Sequence, residues 1–160
     1  MNNPLLEPFK TDFESTPFSK INIEHYIPAI ERTIKSAIDE INIISSQKDL
    51  PTFSNTIETL ENCGFLVERN TSLLFNLNSA ETCESIQKVA QEASPLLTKF
   101  QNDIRLNDDL FSRIHFVYKY EDRDKLNTEQ ITLLEKQYKN FVRNGALLNK
   151  TDKEKLRNLD

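Results

Sequence analysis

Few residues in this chain have the chemistry of a reactive site. Cys63 and Cys83 are the only cysteines, and His25 and His115 the only histidines, in 160 residues. A catalytic zinc usually takes three protein ligands, and a helical H-E-x-x-H places two imidazoles on one face. No His-Glu dipeptide occurs, and the histidines stand far apart in sequence. The cysteines lack zinc-finger spacing and have no neighbouring histidine, so they read as two reduced, partly buried thiols. His25 fits a capping role near a helix start. His115 fits a half-buried position beside an apolar stripe. The two glycines, Gly64 and Gly145, cannot supply a phosphate loop, a nucleophile elbow or a dinucleotide turn.

Carboxylates cluster at Asn107–Asp109 and Glu121–Asp124, both at expected helix ends, where an acidic side chain complements the helix dipole. Arg143, in "FVRNGALL", could hold a carboxylate but reads as a snorkelling surface residue. The N-x-S/T matches at Asn70 and Asn149 carry no weight in a chain without a secretory leader pattern. The expectation is therefore that this chain has no catalytic, metal-binding or substrate-binding residue of its own.

Such residues need elements to position them, and composition selects helices. Two glycines cannot serve the tight turns of a many-stranded sheet. Hydrophobic residues make up 38% and charged residues 28%, neither disordered nor membrane-like. The net charge of −5 is interspersed, with no basic face for nucleic acid. No run of residues is long and apolar enough to span a membrane, and cytoplasmic residence is the default expectation.

Residues 1–21 read as an extended lead-in punctuated by Pro4, Pro8 and Pro17, with Leu5, Leu6, Phe9, Phe13 and Phe18 draping over a core. Residues 23–27 read as a short turn. A helix starting at Pro28 then carries Ile30, Ile34, Ala37, Ile38, Ile41 and Ile44 on one stripe. A second helix is expected from Thr52, its cap, to Asn76, with Phe53, Ile57, Leu60, Gly64, Val67, Leu74 and Leu77 inward. Gly64 inside that helix would mark a close crossing. A third helix, 80–105, is expected to kink at Pro95. A fourth is capped by Asn107, and a fifth opens at Asn127 or Thr128 and closes near Gly145. Thr151 and Glu154 match a capping box for a last helix with no C-cap before Asp160. The whole of 1–160 reads as a single all-α domain, an antiparallel bundle of about five or six helices.

In order along the chain, "NPLL", "TPFSKINIEHYIPAIERTI", "LPTFSNTIETLENCG", "LLFNLNSAET", "ASPLLTKFQNDIRLNDDLFSRI" and "KNFVRNGALLNKTDKEKLRNL" resemble the N-terminal helical region of thimet-oligopeptidase-like zinc metallopeptidases. "FVRNGALL" followed by "DKEKLRNL" resembles the bacterial peptidyl-dipeptidase branch more than the oligopeptidase A branch. The resemblance implies a longer, almost wholly helical enzyme that admits short peptides to a deep channel and releases C-terminal dipeptides. It also implies zinc held by H-E-x-x-H and a later Glu in the parent, none of which this chain contains. The implied partners are the remainder of the same polypeptide and short peptide substrates, with neither nucleic acid nor membrane. An endo-acting oligopeptidase and a free-standing helical protein-binding module are the alternatives.

Overall fold

The computed structural model describes residues 3–159, and helices account for nearly all its regular structure, with no strand among the described residues. The long helices are α1 (Tyr26–Ser46), α3 (Phe65–Ala80), α4 (Glu84–Arg105), α5 (Asp108–Tyr120), α6 (Thr128–Arg143) and α7 (Lys150–Leu159). Between α1 and α3 lies α2, a π-helix Phe53–Glu58 that passes directly into the α-turn Thr59–Glu61. The fold class is all-α, as composition implied. The chain forms two compact units. One takes the chain up to Ala37 together with Gly64–Leu97, and the other takes Ile38–Cys63 and the chain from Thr98 on.

In the first unit, Leu5, Tyr26, Ala29, Ile30, Leu74 and Ala93 are buried together. The lead-in reaches this core through Leu5, which is fully buried. The Asn3 side chain accepts the Leu5 N–H at 3.0 Å and donates to the His25 carbonyl at 2.8 Å. Arg69 of α3 donates to the Leu5 carbonyl at 2.6 Å and lies 4.2 Å over the Phe9 ring. The lead-in is not uniformly extended, because 3₁₀ turns occupy Pro4–Leu6, Asp12–Glu14 and Phe18–Lys20. Nor do all its aromatic residues drape inward: Phe13 and Phe18 are exposed. Helix α1 begins at Tyr26, so Pro28 is its third residue rather than its first. The position is tolerated because the first four N–H groups of a helix have no intrahelical acceptor.

The second unit buries Ile41, Ile44, Phe53, Ile57, Leu110, Phe111, Ile114, Val117, Leu134 and Phe141. Phe111 stacks on Phe141, Tyr118 on Tyr138 at 3.9 Å, and Arg123 pairs with Glu135. Partners late in α6 meet residues early in α5, so these two helices run antiparallel. The expected caps form here: the Asn107 side chain accepts the Leu110 N–H, and Asn127 and Gln130 make a reciprocal capping box.

Two expectations fail at local backbone. The second helix does not run unbroken from Thr52 to Asn76. It stops after Glu61, and Gly64 takes a left-handed φ of 74° before α3 starts. Gly64 is therefore a helix-breaking position that favours glycine, not a residue inside one continuous helix. Within α2, the Thr59 N–H and hydroxyl both donate to the Ser54 carbonyl, which holds the wider π turn. The last helix is capped by Asn149, whose side chain accepts the Asp152 N–H at 2.9 Å, and not by Thr151, which lies inside α7. The expected missing C-cap concerns Asp160, which lies outside the described residues.

Candidate functional site

The residues singled out for chemistry are held in structural roles. His25 Nδ1 accepts the Asn22 N–H at 3.0 Å, the capping role expected of it. His115 is exposed rather than half-buried and leans on the Phe111 and Tyr138 rings. Cys63 is a half-buried free thiol, and burial, reinforced by Glu40, pushes its pKa up to about 11. Cys83 is free but exposed, not partly buried, because it precedes α4 at the surface. The Ser85 side chain, followed by nearby backbone N–H groups, draws its pKa down. Arg143 is exposed, as a snorkelling side chain should be.

The acidic clusters sit at helix ends as expected. Asp108 and Asp109 occupy the first turn of α5, and Asp122 caps the 3₁₀ turn Arg123–Lys125. Glu121 does more: its carboxylate accepts the Phe53 N–H at 2.8 Å, capping α2 from the end of α5. Among the described residues, no group of three or more His, Cys, Asp and Glu side chains could hold a metal ion. Asn70 is fully buried and Asn149 caps a helix, so neither presents a free side-chain amide.

The group that sequence reading missed is Arg113. It lies on the buried face of α5, only 6% exposed. One terminal nitrogen donates to the carbonyls of Gln47 (3.0 Å) and Asp49 (3.1 Å). The other donates to the side chains of Gln47, Asn55 and Thr56 at 3.1–3.3 Å. Burial lowers its pKa, and the Asp49 carboxylate opposes that pull. A planar guanidinium with five donors suits a link that ends one helix and caps the next. Its sequence signal is faint: one of two polar residues, Ser112 and Arg113, between Phe111 and Ile114 on an apolar stripe.

Lys153 is the same kind of omission. It is 5% exposed and pairs with Asp108, while Arg157 pairs with Asp103, so two ion pairs tie α7 to the rest of its unit. These arrangements fasten helices to one another; none assembles a nucleophile with a base.

No family model matches the chain. It is 34% identical over 158 residues to a dipeptidyl carboxypeptidase of Escherichia coli (strain K12), covering 99% of this chain and 23% of that protein. Oligopeptidase A of the same organism is 24% identical over 155 residues, covering 97% of this chain and 22% of its own length. A thimet-like oligopeptidase of Dictyostelium discoideum is 29% identical over 120 residues, covering 73% of this chain and 18% of its own length. The chain thus spans about a quarter of the length of the curated relatives it matches, and its relatives are the group its motifs resemble.

Proposed function

We propose, from this relatedness to dipeptidyl carboxypeptidases, that the chain is the N-terminal helical region of a zinc-dependent peptidyl-dipeptidase. The longer enzyme hydrolyses short peptides and releases their C-terminal dipeptides. This region forms a helical wall of the substrate channel and contributes no catalytic residue. Identity of 34% along 99% of the chain is the observation that carries the reading. The lower identity to oligopeptidase A, 24%, ranks internal cleavage second.

The interior supports a role through rigidity. Phe53, Ile57 and Leu60 pack with Ile41 and Ile44 of α1, while Arg113 and Glu121 fix the start of α2. The described residues do not fit a zinc site: His25 is used in a cap and His115 packs on rings. The partners are the rest of the same polypeptide and short peptides, and the setting is the cytoplasm. The net charge of −5 supports a reading without nucleic acid. Among the described residues, no helix is long and apolar enough to cross a membrane.

A direct assay tests this. The 160-residue chain, stripped with chelator and resupplied with zinc, is expected to release no dipeptide from short peptides by mass spectrometry. The reading frame past the Asp160 codon is expected to continue and to encode H-E-x-x-H with a later Glu. Dipeptide release by the chain alone, or a stop codon at that point, overturns the proposal.

A further inference from the structure

One surface of the second unit combines apolar area with unpaired charge of one sign. It is a groove where the π-helical segment Phe53–Glu58 faces the first two turns of α6. Phe53, 5% exposed, and the half-buried Leu133 give it an apolar floor. Glu58, Glu61 and Glu129 stand around that floor, against a single cation, Lys136. A π turn is a rare device, found mostly as single-turn bulges and often at functional sites.

Six ion pairs among the described residues use Asp103, Asp108, Asp122, Glu135 and Asp152. None uses a carboxylate of the groove. Glu58 accepts only the Ser54 hydroxyl, at 2.7 Å, and Glu61 accepts the Gln137 amide, at 2.8 Å. Both donors are neutral, so neither contact is an ion pair. The amino end of α6 offsets part of the charge on Glu129, which lies in its first turn.

We propose that this groove binds an extended peptide segment presenting lysine or arginine side chains on either side of an apolar one. The apolar side chain covers Phe53 and Leu133 and leaves water. The flanking cations meet Glu58 and Glu61, three residues apart along one wall of the groove, where opposite charge selects partners and speeds encounter. Glu121 and Arg113 anchor the start of the helix that carries these carboxylates. The proposal goes beyond the peptidase reading, since it requires binding and no reaction.

The test uses the 160-residue chain and two fluorescein-labelled octapeptides, one alternating Lys and Leu, the other alternating Glu and Leu. Fluorescence anisotropy is expected to show the cationic peptide binding about ten-fold tighter at low salt, the preference fading as salt screens it. The triple variant Glu58→Gln, Glu61→Gln, Glu129→Gln changes exposed residues only and should keep the helical circular dichroism while losing the preference. Amide shifts in ¹⁵N spectra should concentrate in residues 53–62 and 128–136. Equal binding of both peptides, a preference that survives the triple variant, or shifts centred elsewhere overturns the proposal. So does concentration-dependent self-association through these residues, which would make a second copy the occupant.

Discussion

Arg113 puts its terminal nitrogens into the link that joins α1 to α2. Replacement by alanine strands the Gln47 and Asp49 carbonyls and the polar ends of Asn55 and Thr56. Arg113→Ala is therefore expected to lower unfolding free energy by about 3 kcal/mol in urea titration, with Arg113→Lys recovering only part of it. A loss below about 0.5 kcal/mol, the range of ordinary surface substitutions, would mean that the link holds without the clamp. The thiols differ for equally local reasons. Cys63, pushed from 9.0 to about 11, stays protonated at neutral pH, whereas the pKa of exposed Cys83 is drawn downward. Thiolate is the reactive form, so a colorimetric thiol titration at pH 8 should show one fast site, Cys83, and one slow one. The raised Cys63 pKa makes the unfolded chain lose this proton first as pH rises. Its contribution to stability is complete below pH 9 and is lost between 9 and about 11. Two equally fast thiols would contradict the burial of Cys63.

Gly64 decides the element scale. Apolar spacing through Phe53, Ile57, Leu60, Val67 and Leu74 continues across it at helical intervals, which is why periodicity reads one helix where the chain makes two. A period records which residues face inward, and both pieces happen to keep it across the break. The φ of 74° puts glycine there for its backbone, so Gly64→Ala should destabilise by about 1 kcal/mol in thermal melts. A stabilisation of similar size, the usual result for Ala over Gly inside a helix, would restore the single-helix reading. The helix ends show the same division. Thr52, Asn107 and the Asn127–Thr128 pair announce their caps because the capping side chain lies next to the turn it serves, and the structure takes Asn127 of the pair. Asn149 and Thr151 each have an acid three residues on, and the sequence reading took Thr151 with Glu154 as the capping box. The structure selects Asn149, two residues earlier, which places Lys153 where it pairs with Asp108.

At the scale of the whole molecule, the amino-acid sequence determined the helical class, most of the inward-facing stripes and the family resemblance. Each rests on information carried locally: two glycines, repeats of three and four residues, and short motifs in a fixed order. Ile30, Ile57, Leu74, Ile114 and Leu134 were legible as core for that reason, and all are fully buried. Tertiary structure alone decided the rest. It divided the helices between two compact units, with α1 and α4 contributing residues to both. It also turned two charged residues, Arg113 and Lys153, into buried fasteners, and gathered the groove of α2 and α6 from segments some seventy residues apart. Such pairings depend on which side chains meet after the chain has folded back on itself, and a single sequence records no distance between residues remote along it. Apolar burial has a period that can be read, whereas a charge buried against backbone carbonyls has none.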